Sequence, residues 1–248
     1  MQDTGQQLWF EEWFNSPYYH LLYKDRDYQE AEFFIDNLIT FLNPSPNVRM
    51  LDLACGKGRH SIYLNKKGFD VTGLDLAVNS IAAAQMHESE SLHFYVHDMR
   101  QLFRTNYYDY VFNLFTSFGY FHCDRDNLNT INAICKGLKP SGMVVIDFFN
   151  AKKVLANLKA EEIKEVEGIT FKISKKVSCG YIIKEIAFAD KGKNYVFQEK
   201  VQALTIDDFE KYFLVNKLKI VNLRGNYELD AFDENTSDRL IIIAQKTA

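Results

Sequence analysis

The chain has 248 residues, 47% of them hydrophobic and 25% charged, with a formal net charge of −4; this suits one folded α/β domain with a sizeable insertion and excludes a largely disordered chain. The negative balance supplies no global field toward nucleic acid, and the basic pairs Lys66-Lys67, Lys152-Lys153 and Lys175-Lys176 are too short to line a groove and read as solvated surface. The four cysteines show no CxxC spacing, which argues against a disulfide framework or a metal site, and no stretch reaches the roughly 18 apolar residues of a membrane span, so the expectation is a cytoplasmic protein with no membrane partner.

Residues 27–42, DYQEAEFFIDNLITFL, space their apolar positions at three and four and predict an amphipathic helix, stopped by Pro44 and Pro46. Strand and helix signals then alternate. VRMLDLA (48–54) precedes a helix opening near Gly58, FDVTGLD (69–75) a helix from Asn79, LHFYVHD (92–98) and YDYVFNLF (108–115) a helix over 124–138, and GMVVIDFF (142–149) follows the turn Lys139-Pro140-Ser141-Gly142. Five mostly apolar strands joined by helices predict a parallel sheet covered on both faces. Past residue 150, ITFKISKKVS, YIIKEIAFAD and NYVFQEKVQAL alternate apolar and polar residues and predict antiparallel hairpins with one wet face. A helix over 205–217, capped by Thr205 with Asp207 and Asp208 in its first turn, leads to the strand candidates LKIVNLRG and RLIIIAQK. The expected fold is therefore α/β: a Rossmann-like, seven-stranded, doubly wound sheet with an antiparallel β insertion after the fifth strand.

The stretch LDLACGKGRHS (51–61) sets Asp52 ahead of Gly56 and Gly58 at a strand-to-helix turn. Glycine turns of this kind usually receive a phosphate, which a carboxylate would repel. Asp75 ends the second strand, seventeen residues after Gly58, near the spacing at which an acidic group meets ribose hydroxyls, and Asp98 ends the third. Carboxyl ends of adjacent parallel strands line one crevice, so the three aspartates are expected to converge on one ligand edge. A dinucleotide fits poorly, since the GxGxxG fingerprint needs a glycine or other small apolar residue where Ser61 stands. A nucleoside bearing an ammonium and a sulfonium, with no phosphate, suits the edge better.

LDLACGKGRHS, GLDLA (73–77), HDM (97–99) and YDYVFNLFTSFGYF (108–121) together resemble the ligand-facing motifs of class I S-adenosylmethionine-dependent methyltransferases. The resemblance covers roughly residues 48–150 well and the last two strands weakly. It implies S-adenosyl-L-methionine as cofactor, with Asp52, Ala54, Cys55, Gly56 and Gly58 at its methionine end, Asp75 on the ribose hydroxyls, and Leu76, Asp98 and Met99 at the adenine. Asn113 and Phe115 of the fourth motif join this cofactor set. Ala54 stands where the fuller GxGxG pattern has its first glycine. Arg59 is a candidate partner for the methionine carboxylate, because guanidinium suits bidentate binding, although a surface arginine at a helix start reads the same way.

Methyl transfer asks the protein mainly to align an acceptor lone pair and exclude water; an alcohol also needs a base, while an amine need only be neutral. Tyr120 and His122, in the aromatic loop nearest the transferred methyl, are the candidate catalytic residues. Asn150 reads first as a cap of the next helix and second as a candidate acceptor contact. By resemblance to small-molecule and sugar N-methyltransferases, residues 1–46 form a helical lid, 47–150 with 205–248 the cofactor-binding domain, and 151–204 the substrate subdomain. Tyr18, Tyr23 and Arg26 are the lid residues assigned to substrate, although an aromatic stripe at helical spacing also serves packing. The expected partner is a small-molecule methyl acceptor, N or O, with a homodimer contact as another use of the insertion. A noncatalytic cofactor-binding protein, an RNA methyltransferase and a nicotinamide oxidoreductase are the competing classes.

Overall fold

Two short helices, α1 (Trp9–Phe14) and α2 (Pro17–Leu22), precede α3 (Tyr28–Leu42). Then come β1 (Arg49–Leu53), α4 (Arg59–Lys66), β2 (Asp70–Asp75), α5 (Val78–Gln85), β3 (Leu92–Val96), β4 (Tyr108–Asn113), α6 (Asp124–Gly137) and β5 (Leu138–Phe149). Past α7 (Ala151–Ala156) lie β6 (Glu161–Val166), β7 (Ile169–Ser178), β8 (Tyr181–Asp190) and β9 (Lys193–Gln202), followed by α8 (Ile206–Val215), β10 (Leu218–Arg224) and β11 (Arg239–Lys246). This computed structural model describes residues 9–24 and 28–247.

Seven strands form one sheet in the order β10-β11-β5-β4-β1-β2-β3, and the other four form a second in the order β6-β7-β8-β9. The first five strands run parallel, and β11 returns antiparallel against β5. Both faces of the main sheet are covered, as a strand such as β1, buried at every residue after Arg49, requires. Ile131 and Ile134 of α6 pack with Phe209 and Phe213 of α8 on one side. Phe34 and Leu38 of α3, Leu64 of α4 and Ile81 of α5 pack on the other. The predicted doubly wound sheet with its antiparallel insertion is the fold observed.

Two details depart from the sequence reading. The insertion has four strands, because β6 pairs with β7 from Glu161↔Ser174 to Val166↔Ile169; its sequence, EEIKEV, buries only Val166 and so lacks the alternation that marks a half-buried strand. The Lys139–Gly142 turn is an excursion inside β5, whose pairing with β4 already begins at Tyr108↔Leu138 and resumes at Tyr110↔Met143. The described parts of residues 1–46 pack in two places: α3 joins the main core, whereas α1 and α2 place Trp13 and Leu22 in a separate core with Val166, Phe171, Ile173, Ile186 and Phe188 of the small sheet. Together α1, α2 and β6–β9 form a cap over the carboxyl ends of the main strands.

Candidate active site

The turn from β1 into α4 carries three left-handed residues, Ala54 (φ 63°), Gly56 (φ 57°) and Gly58 (φ 79°). The glycines serve different ends. A Cβ built on Gly56 would meet nothing within 4 Å, whereas one on Gly58 would sit 2.6 Å from the Phe94 ring. Gly56 thus leaves an open cradle, and Gly58 lets β3 pack under the helix start. Ala54 holds a conformation that costs a residue with a Cβ about 1–2 kcal/mol.

Ala54, Cys55, Gly56, Arg59, Asp75, Leu76, Asp98 and Met99 line one cavity of about 350 Å³. The Asp75 carboxylate accepts the amides of Gly56 (2.7 Å) and Ala77 (2.8 Å). Burial raises its pKa, and the amides oppose the rise. Burial would also raise the pKa of Asp98, but Arg100, donating from Nε (3.0 Å) and Nη2 (2.6 Å), brings it below the usual carboxylate range. Arg100 also donates to Asp126 at 2.9 Å, which fixes the floor beside Met99. Cys55 is buried, and burial holds its thiol protonated, so it is small lining rather than a nucleophile.

A second cavity of about 590 Å³ adjoins the first. Phe14, Tyr19, Tyr23, Phe115 and Tyr120 line both, so the two spaces meet at an aromatic neck. The neck's inner edge is braced from below. Asp147, fully buried, accepts the Phe115 amide (2.8 Å) and Arg239 Nε (2.7 Å), and holds Phe115 and Thr116 at φ 55° and 62°. The outer wall comes from the cap: Lys175 of β7, Lys184 of β8 and Glu199 of β9 face the second cavity, with Lys153 of α7 opposite.

Several predicted residues lie elsewhere. Asp52 is 1% exposed and lines neither cavity; it accepts the Ser61 hydroxyl at 2.6 Å beneath the turn. Burial raises its pKa to about 6, with the Ser61 bond opposing. Asn113 is also underneath, donating to Leu53 O (2.9 Å) and Ser117 O (3.3 Å). His122 is exposed and outside both cavities, so only Tyr120 of that pair stands at the neck. Asn150 neither caps α7 with its side chain nor faces a cavity; it donates to Glu234 O (2.8 Å) and Ser237 O (2.9 Å). Tyr18 donates to Asp190 (2.7 Å) and packs on Phe188 inside the cap. Arg26 lies outside the described residues. Tyr23 does reach the site.

Sequence reasoning missed His20, His60, Arg100, Lys184 and Glu199. His60 stacks on Phe115 at 4.9 Å, and burial beside Arg59 lowers its pKa to about 3, so a neutral imidazole faces the cavity. The Arg59 guanidinium also lies over that ring, 4.8 Å from its centroid. The cap residues gave no local signal for the site, because Tyr23 meets Lys184 and Glu199 across more than 150 positions of the chain.

The arrangement fits S-adenosylmethionine on this structure's own terms. The space above Gly56 admits a nucleoside closely, Asp75 and Asp98 discourage phosphate and accept hydroxyl or amino hydrogens, and Arg59 and Lys57 stand at the turn for a carboxylate. Residues 44–203 match the family described as a methyltransferase domain. The methyltransferase candidate YqeM of Bacillus subtilis is 36% identical over 43% of this chain and 44% of its own length, so that match spans less than half of the relative. The dTDP-3-amino-3,4,6-trideoxy-alpha-D-glucopyranose N,N-dimethyltransferase of Streptomyces venezuelae is 24% identical over 84% of this chain and 91% of its own. The crystal structure of an S-adenosylmethionine-dependent methyltransferase from Clostridium acetobutylicum shares the fold, with a TM-score of 0.78 at 19% identity over 93% of this chain and 96% of that one. The glycine cradle, the two strand-end carboxylates and the matched family together make this chain a member of the S-adenosylmethionine-dependent methyltransferases.

Proposed function

We propose that this methyltransferase acts on a small molecule, with an amine as the acceptor class, held in the second cavity. The observation that carries the reading is the neck: one cavity suited to the cofactor opens through five aromatic side chains into another of about 590 Å³, walled by the cap. That volume is in the range of small-molecule sites. Aromatic faces also attract cationic amines. The nitrogen-directed name of the Streptomyces venezuelae relative supports the same class.

When bound, the cofactor supplies an electrophilic methyl group. The chain's own residues do the rest. Asp75 would hold the ribose, Leu76 and Met99 the adenine, and Arg59 the carboxylate, so that the methyl points at the neck. Phe14, Tyr19, Phe115 and Tyr120 exclude water there and fix the line of approach, which is where the acceleration of a displacement comes from. The Tyr120 hydroxyl donates to Thr116 O and is thereby oriented at the neck.

The first test is calorimetric titration with S-adenosylhomocysteine. Loss of hydrogen bonds to a charged group costs about 1.5–3 kcal/mol, so Asp75→Ala should weaken binding by about 10–100-fold. Wild-type protein that fails to bind would overturn the cofactor assignment. Transfer of labelled methyl to members of an amine and alcohol panel then tests the acceptor, and labelling of RNA alone would sink the small-molecule reading.

A further inference from the structure

One cluster stands at the neck between the two cavities. Tyr23, just past α2, lines both cavities, and its hydroxyl donates to Glu199 Oε1 at 2.6 Å. Lys184 Nζ donates to the same Tyr23 oxygen and stands 3.4 Å from Glu199 Oε2. The Trp13 indole donates to Glu199 Oε1 at 2.7 Å. Glu199 and Lys184 line only the second cavity, each with 17% of its side chain exposed. A carboxylate, a phenol and an ammonium are thus joined in series from the cap to the neck.

An amine acceptor is protonated at neutral pH and has to lose a proton before its nitrogen can attack. We propose that Tyr23 takes that proton and Glu199 receives it from Tyr23. In this step an N–H bond of the acceptor breaks and its electron pair stays on nitrogen. The proton bonds to the Tyr23 oxygen as that oxygen's own hydrogen moves to Glu199 Oε1, leaving a neutral amine, an unchanged phenol and a carboxylic acid. The acid then returns its proton to water through the second cavity. Lys184 steadies the phenol oxygen against the charge that develops during the exchange, and Trp13 fixes the carboxylate. Tyr23 is the group that touches the acceptor; Glu199 acts through it as a positioning residue. The inference rests on the methyl-transfer reading and adds a proton path to it.

Sinefungin tests this without knowledge of the acceptor, because it carries an amine where the cofactor carries its transferable methyl and so sets an N–H group at the neck. Calorimetry would measure sinefungin and S-adenosylhomocysteine against wild type, Glu199→Gln and Tyr23→Phe, all with the intact chain. The readout is the ratio of the two affinities. A hydrogen bond to a charged relay predicts a wild-type preference for sinefungin of about 10-fold or more. Both variants should bring the ratio to within about 2-fold of unity on the same scale. Gln keeps the shape of Glu199 and an oxygen for Trp13, and Phe keeps the ring of Tyr23, so both should fold. Equal weakening of both ligands, with the ratio retained, would make Tyr23 and Glu199 mere struts of the cap and overturn the relay. A wild-type ratio near one would also overturn it. Absence of S-adenosylhomocysteine binding to the wild type would bring down the cofactor reading, and this inference with it.

Discussion

Asp52, which the resemblance assigns to the methionine end of the cofactor, lies beneath the turn and lines neither cavity. Its helix starts at Gly58, which offers no side-chain cap. Asp52 instead reaches the first turn from below through the Ser61 hydroxyl, placing negative charge near the helix N-terminus. Burial raises its pKa to about 6, against about 3.9 in an unfolded chain. The folded state therefore holds the proton more tightly, and the associated stability is present below about pH 4 and lost as pH rises through about 6. Asp52→Asn cannot titrate. Urea denaturation from pH 4 to 7.5 should show wild type losing about 2–3 kcal/mol relative to the variant across that window. Equal slopes would show that Asp52 keeps its ordinary pKa. Asp75 and Asp98 were legible because each ends a consecutive parallel strand, a rule that backbone direction alone enforces. Strand ends do not reveal which carboxylate turns under the sheet. Asp52 pairs with Gly73 and Phe112 in the two flanking strands, and that buried central register takes it away from the crevice.

Among the elements, β2 and β3 are locked by the absence of side chains. A Cβ on Gly73 would stand 2.5 Å from the Phe94 ring and 2.9 Å from Cys55 Sγ. Gly73→Ala should therefore cost about 1–3 kcal/mol through overpacking. Its thermal midpoint should fall, and the double variant with Phe94→Leu should recover part of the loss; additive losses would show that the clash is relieved elsewhere. The alternation of the main-sheet elements was legible since each buried strand and amphipathic helix carries its own period. Thr205 forms the expected cap of α8, and its backbone N–H donates in return to the Asp208 carboxylate at 2.9 Å. By contrast β6 has one buried residue, and α1 and α2 are six residues each, too short for a periodic signal to separate lid from packing. The brace under the neck was equally hidden, because Asp147 meets Arg239 across 92 positions of sequence.

At the level of the whole molecule, the cap is a second core that shares surfaces with both ligand spaces. Trp13 is fully buried in it, 4.6 Å from Phe197, and touches neither cavity. Trp13→Ala should destabilise the cap by about 3–5 kcal/mol. Limited proteolysis should then cut within β6–β9 first, and S-adenosylhomocysteine affinity should fall although no cofactor contact was removed; unchanged affinity would show that the roof stands without its core. The acceptor wall and the cofactor roof are tied at several points. Lys164 donates to Leu22 O at 3.1 Å, Lys24 pairs with Glu167 at 3.0 Å, and Tyr18 with Asp190 at 2.7 Å. Roof and wall are thus built as one unit, and the two ligand spaces share one enclosure. Damage to the cap core should therefore be felt in both spaces at once, as parallel losses of S-adenosylhomocysteine and acceptor affinity from a change that touches neither ligand.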